Sequence, residues 1–428
     1  MSRKLCFFGL LVVLCLVGRT SANAILFWND ELLRAAELDA VPFYLTFRQM
    51  AVFHNGLYNT LTELDCWKPW HDHFLSDCTE SKVNHSLAYA AVLLLKHIHP
   101  RQALRAEMVG RPIIRGGDPT FDWKARRAGE RGAMKALEDN HEDPHFTFVD
   151  YFPSGLEGRW EPTPPPYLPY FIASTGYASF FLLDESARAG IPPPPPPPLD
   201  SARFKQDVEE IRAIGGQDST LRTQRQSELC HRWGGDRAVT TYEIAAQVVR
   251  EAGKDFKDTA TIFKLVTNAA YDAVVDNVYW KLIYDLIRPI TVIQEGMPNL
   301  QPTIEVDPDW WSFSPTPPNS EFPCGTCTLG AALARLLERS LETDEFPFSY
   351  TLPSAFGYPV TVNFTGFSDV ATMYGENRVW GGVHFRYSIE SGRTHGYDLA
   401  DAAFDRACPN RRCFNGPNRE IRIDPQFQ

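Results

Sequence analysis

The sequence has no basic run anywhere, and its formal net charge is -11 with a pI near 5.5. Such a surface repels nucleic acid, which is excluded as a partner. A few buried cations act locally whatever the global sign, so an anion site stays open. Beyond the N-terminus no segment reaches the roughly 18 consecutive apolar residues of a bilayer-crossing helix. Nor is there a fixed-period repeat, which argues against solenoids and propellers. What remains is a chain of 428 residues, 44% hydrophobic and 22% charged, enough for a substantial buried core.

Arg3 and Lys4 precede an apolar run from Leu5 to Val17, and Ala22-Asn23-Ala24 supplies small residues for cleavage. The run is too short to span a bilayer, so residues 1–24 read as a cleaved signal peptide and the mature chain as secreted, with no membrane span. Seven cysteines then remain: Cys66, Cys78, Cys230, Cys324, Cys327, Cys408 and Cys413. The secretory route permits disulfides, with Cys66–Cys78 and Cys408–Cys413 as short-loop candidates. One of Cys324 and Cys327 is expected to pair with Cys230 or with the other. An odd count leaves a thiol unpaired or pairing between chains, and the oligomeric state is open. Sequons at Asn84 and Asn363 fit the same compartment.

Apolar spacing predicts helices over Leu32 to Arg48, Val52 to Leu64 and Leu87 to Ile98. Between about Arg101 and Arg203 the chain is rich in Pro, Gly and Asp, with few clear helices. It holds Pro164 to Pro166 and the seven prolines Pro192 to Pro198, read as a stiff connection pinned over the surface. Helical signal returns at Phe204 and is strongest from Thr261 to Ile287, stopping at Pro289. Further helices are expected from near Thr326 and from about Ser388 to Ala407, with one short strand at Pro359 to Phe364. The expectation is an all-α fold of packed bundles with Pro-rich connections. It has an N-terminal helical part over 25–200 and a C-terminal bundle over 201–428.

Three pieces carry chemistry. Lys281 and Arg288 are seven residues apart, close to two helical turns, which places both cations on nearly one face among apolar flanks. Phe322-Pro323-Cys324-Gly325-Thr326-Cys327 precedes a helix, where a glycine lets backbone N–H groups approach an anion and the dipole favours negative charge. The same segment also reads as a plain turn with Thr326 as cap, or as a C-x-x-C redox motif, though the βαβ pattern of thioredoxins is missing around it. Arg378 and His384, in Asn377 to Arg386, form the third piece. Three cations, a glycine amide and an imidazole suit a four-oxygen anion.

These residues resemble the vanadium-dependent haloperoxidases and the type-2 phosphatidate phosphatases that share their anion site. Other segments resemble the soluble haloperoxidase branch: Trp28-Asn29-Asp30 before a helix containing Pro42, the Gly158-Arg159-Trp160 stretch, Gly215 to Trp233, and Pro315 to Pro318. The resemblance implies vanadate as cofactor, with phosphate as the alternative occupant, and hydrogen peroxide with halide, or a small phosphate ester, as substrates. It implies that His384 bonds the metal centre and that its other ring nitrogen needs an acceptor. Lys281, Arg288 and Arg378 would neutralise the oxygens, Gly325 would donate its N–H, and Lys281 would polarise the oxidant toward halide. The usual Pro-Ser-Gly-His loop reads here Pro323-Cys324-Gly325-Thr326. Cys324 thus stands for an anion-binding serine with a weaker donor, and Thr326 for an acid–base histidine. Asn319 stands where a histidine or aromatic residue often lies near the halide, and Ser388 where an aspartate commonly follows the histidine. Three readings follow: a haloperoxidase of altered or reduced activity, a secreted acid phosphatase, or a non-catalytic phosphate- or vanadate-binding protein.

Overall fold

The computed structural model describes residues 23–64, 79–117, 119–140, 149–164, 166–233, 237–352, 359–409 and 413–414. The signal-like segment up to Ala22, and Cys66 and Cys78, lie outside them. Among the described residues the chain is helical apart from one two-stranded antiparallel sheet, as an all-α fold requires. No described helix is long and apolar enough to cross a membrane.

The N-terminal helices are α1 (Ala24–Leu38), α2 (Phe43–Glu63), α3 (Glu80–Ile98), α4 (Ala103–Gly116) and α5 (Asp122–Glu138). The helix expected over 32–48 is two helices, because Ala40 has a positive φ of 50° and Pro42 caps α2 instead of lying inside a helix. The stretch after Arg101, expected to hold few helices, contains α4 and α5. Hydrophobic periodicity misses α5 because the face it buries is Ala125, Ala128, Gly129, Gly132, Ala133 and Ala136, all small. These residues let α5 lie almost backbone to backbone on its neighbours. A Cβ on Gly132 would come within 2.4 Å of the Thr60 amide nitrogen in α2. Gly132→Ala is therefore expected to lower stability by about 1–3 kcal/mol, read as a shift of the urea midpoint at unchanged slope.

The chain continues through α6 (Glu185–Gly190), then α7 (Ala202–Gly215), α8 (Gln224–Trp233), α9 (Arg237–Glu251), α10 (Phe256–Tyr284), α11 (Pro289–Glu295) and α12 (Gly325–Leu341). After these come β1 (Glu345–Leu352), β2 (Val360–Gly366), α13 (Phe367–Trp380) and α14 (Arg386–Ala407). The strand expected near Pro359 is β2, paired with β1 in the register Tyr350 opposite Val362. The proline run at 192–198 forms neither helix nor strand, and the Ser391 hydroxyl of α14 donates to the Pro194 carbonyl at 2.6 Å.

α10 is buried on nearly every side from Lys257 to Lys281, as befits the central helix of a bundle. Asp255 caps its start by accepting from the Asp258 N–H at 2.8 Å. It ends four residues earlier than Pro289 implies. Asp285 adopts the left-handed conformation, and its N–H closes on the Lys281 carbonyl. Pro289 instead opens α11, where its missing N–H is no loss. A large apolar cluster joins α1, α2 and α3 to α10, α12, the sheet and α14. A smaller one, built on Phe204, Ile290, Phe322 and Phe385, packs behind the site described next.

Candidate oxyanion site

Lys281 occupies the last turn of α10, whereas Arg288 is the extended N-cap residue of α11 (φ -82°, ψ 152°). The two cations therefore do not share one helical face. The turn at Asp285 brings them together, and the Gly158-Arg159-Trp160 segment pins that turn. Trp160 N–H donates to the Asp285 carbonyl at 3.0 Å, and Ile287 N–H donates to the Gly158 carbonyl at 3.1 Å. Arg159 adds a bond to the Tyr284 carbonyl at 2.7 Å.

Both cations are buried and held by carbonyls. Lys281 Nζ donates to Ser320 O at 2.6 Å and Glu321 O at 2.9 Å. Arg288 is clamped by Asn319, with Nε on its backbone oxygen and Nη2 on its Oδ1, each at 2.7 Å. This is the observed work of Asn319, the residue read from sequence as a halide neighbour. Arg288 Nη1 donates to Val383 O at 2.8 Å and faces His384 Nε2 at 3.4 Å.

Arg378 lies in the last turn of α13, its guanidinium bonded to Asn377 Oδ1. Beyond it the chain turns through Gly382, at φ 74°, where a Cβ would lie 2.3 Å from the Gly215 carbonyl oxygen. Arg222 binds the carbonyls of Gly216 and Trp380, tying the segment after α7 to this turn. His384 follows, held from behind by Glu321. Its Nδ1 lies 3.0 Å from Glu321 Oε1, which also accepts the Phe385 N–H at 3.0 Å. Arginine only donates, so Nε2 accepts and the ring proton sits on Nδ1. Glu321 supplies the acceptor that the motif demanded. Ser388, at the position where an aspartate was looked for, uses its backbone oxygen to receive the Cys324 N–H at 3.4 Å.

The start of α12 completes the site. Gly325 is its first residue, and its amide and that of Thr326 precede the i→i−4 pattern and need partners outside the helix. A Cβ at 325 would meet Asn277 Oδ1 at 2.8 Å, so glycine is what this close approach admits. Cys324 is corrected as an anion-binding donor. It is bonded to Cys327, has no S–H to donate, and is buried in the smaller apolar cluster. The C-x-x-C is thus a closed pair, Cys408–Cys413 is a second, and Cys230 is a free buried thiol.

Lys281, Arg288, Gly325, Thr326, Arg378 and His384 all line one cavity of about 70 Å³. That is far below the ~300–1,000 Å³ of pockets for drug-sized ligands. A fourth cation, Arg237 from the start of α9, lines it too, and no carboxylate does among the described residues. Arg237 carried no sequence signal because no spacing links it to the other three. Burial pushes Arg288 down to about 10 and Arg378 to about 9, with the Arg237 charge adding to both. Lys281 falls well below the ordinary lysine range through burial and then the Arg288 charge. Burial and then the surrounding cations keep His384 neutral, well below the ordinary histidine range. Glu321 is raised by burial to about 7, against the pull of Lys281 and Arg288. Four cations around a neutral imidazole nitrogen make a cavity built for an anion.

Residues 261–412 match the family model of the VCPO second helical-bundle domain. Residues 261–412 are thus similar to a helical-bundle domain of the vanadium haloperoxidase type. The whole chain resembles a bacterial vanadium-dependent iodoperoxidase, with TM-score 0.72, 20% identity, and 89% of this chain and 95% of that one covered. It also resembles a holo-type bacterial vanadium-dependent chloroperoxidase, with TM-score 0.69, 15% identity, and 87% and 93% covered. The apo-type chloroperoxidase gives TM-score 0.70 at 15% identity, covering 86% and 94%. No curated protein matches the sequence. The vanadium haloperoxidase fold thus extends over both halves of the chain, beyond the domain matched by sequence.

Proposed function

We propose that the chain binds vanadate in this cavity and uses it to oxidise halide with hydrogen peroxide, at a rate lowered by the loss of an acid–base group at Thr326. The observation that carries the reading is the cation-lined cavity around His384 Nε2, closed off from behind by Glu321. The donor set fits the group: a neutral imidazole nitrogen for the metal, Lys281, Arg288 and Arg378 for its oxygens, and the Gly325 amide at a helix N-terminus. Bound vanadate supplies a Lewis acid that activates peroxide without a change of oxidation state. The protein's part is positional. Glu321 holds the Nδ1 proton so that Nε2 keeps its lone pair. Asn319 fixes the Arg288 guanidinium in one plane. Lys281, anchored by two carbonyls, presents its charge toward the oxidant. Thr326 offers a hydroxyl that orients water but does not titrate near neutrality.

A phosphatase on the same site is the less favoured reading. A leaving alcohol normally needs a proton, and no carboxylic acid lines the cavity among the described residues. The small volume also suits peroxide and halide better than an ester. The signal-like residues 1–24 and the two closed cysteine pairs support secretion as part of the proposal.

The test uses the secreted mature chain, stripped of oxyanions and returned stepwise to vanadate with peroxide and iodide. Triiodide formation should rise with vanadate, saturate, and be competed by phosphate. Absence of any vanadate-dependent signal across pH would remove the proposal.

A further inference from the structure

Gly325 and Thr326, the two residues with which α12 begins and lines the cavity, are enclosed in a covalent ring. Cys324 is the N-cap of the helix and Cys327 its third residue, and the bond between them spans the pair. A helix N-terminus is a weak place to fix an amide. Its first N–H groups have no partner within the helix, and a glycine there has more conformational freedom to lose than any other residue. Among the described residues neither the Gly325 nor the Thr326 amide has an acceptor, while the amides on either side do. Cys324 N–H donates to Ser388 O at 3.4 Å, and Cys327 N–H closes on Cys324 Sγ at 3.2 Å.

The sulfur side of this ring is anchored in protein. Cys324 and Cys327 are wholly buried and belong to the apolar cluster behind the site, not to the cavity lining. α14 closes on them at Gly392, where a Cβ would lie 2.6 Å from the Cys324 carbonyl oxygen and 3.3 Å from the Cβ of each cysteine. That carbonyl accepts from the Thr328 N–H at 3.0 Å and the Thr328 hydroxyl at 3.1 Å. We propose that the Cys324–Cys327 disulfide is a positioning element for anion binding, locking the first turn of α12 so that the Gly325 and Thr326 amides are ordered before the ion arrives. The proposal rests on the oxyanion reading of the site. Amides that must be ordered at each binding event cost affinity, and pre-ordered ones do not. A serine at 324 could cap α12 through its hydroxyl, but it could not tie the N-cap to the third residue of the helix.

Either Cys324→Ala or Cys327→Ala breaks the bond, and each leaves the other side chain in place. Inorganic phosphate, titrated calorimetrically into the full mature chain, should bind both variants about 10- to 100-fold more weakly than wild type, the cost of ordering up to two residues. The pair Cys408–Cys413, at the far end of α14, is the control. Its removal by Cys408→Ala with Cys413→Ala should lower the urea midpoint and leave phosphate affinity unchanged. Cys327→Ser, close in size to cysteine, keeps the test open if an alanine variant does not fold. Folded variants at 324 and 327 that lose urea stability yet bind phosphate as wild type does would show a merely stabilising bond and overturn the proposal. A loss confined to one end overturns it too, because it would belong to that side chain and not to the bond. Wild type that binds no phosphate removes the oxyanion reading itself, a result distinct from those just named.

Discussion

Replacing Thr326 by histidine is expected to raise vanadate-dependent iodide oxidation by about 10²–10⁴-fold, the usual contribution of one positioned acid–base group. Thr326 sits in the first turn of α12 and lines the cavity, so a longer side chain there projects among the anion's donors. The cations lining the cavity disfavour a further positive charge there, so the new imidazole is expected to start as a hydrogen-bond acceptor and base. The backbone amides that open α12 are untouched by the exchange, so vanadate affinity should stay within a few-fold. The measurement is kcat/KM for iodide at saturating vanadate, together with a vanadate titration of each protein. An unchanged rate at unchanged affinity would show that Thr326 is not what limits turnover.

The second large effect is expected at Glu321, and it is one of stability. Glu321 accepts from His384 Nδ1 at 3.0 Å, from the Phe385 N–H at 3.0 Å and from the Tyr387 hydroxyl at 3.4 Å, with none of its own surface exposed. Leucine fills a comparable volume and accepts none of these, so three buried donors lose their partner. Each orphaned donor costs about 1–3 kcal/mol, and the sum should reach roughly 3–5 kcal/mol after relaxation. Glu321→Gln keeps one acceptor oxygen and should lose clearly less. Chemical denaturation of the two variants in oxyanion-free buffer checks the order. Equal stability of Glu321→Leu and wild type would mean that the carboxylate does not hold this network. The Leu variant should also lose vanadate affinity, because the imidazole no longer has its Nδ1 proton fixed.

Much of this site was legible in the sequence because its chemistry is carried by residue types at short spacings. Lys281 with Arg288, Gly325 at a helix start, and Arg378 with His384 announced an anion, and the structure brings them to one cavity. The route differed from the expectation. Two turns of helix would align the cations, but Asp285 ends α10 in the left-handed conformation and Arg288 arrives on an extended residue. What the sequence hid were partners without a spacing rule. Glu321 belongs to no motif and is brought behind His384 only by the turn before α12, and Arg237 comes from a helix with no motif. Cys324 and Cys327 left several pairings open, and their juxtaposition at a helix N-terminus decides between them. The fold followed a similar line. Long helices with large apolar faces, such as α10 and α12, were visible. α5 was not, because it packs through alanine and glycine, and the close approach that makes it fit removes the hydrophobic signal.

The central claim is that the cavity between α10, α12 and α13 binds a tetrahedral oxyanion through these cations and His384. Titrating vanadate into the stripped wild-type chain and into Arg288→Met, with heat as the readout, tests it most directly. Arg288 has four polar contacts in the site and is 1% exposed, so the comparison needs folded variant, checked by circular dichroism beforehand. The account predicts one saturable site per chain in wild type, weakened at least about 100-fold in the variant. Saturable binding that is indifferent to Arg288, or no binding in wild type, would contradict it.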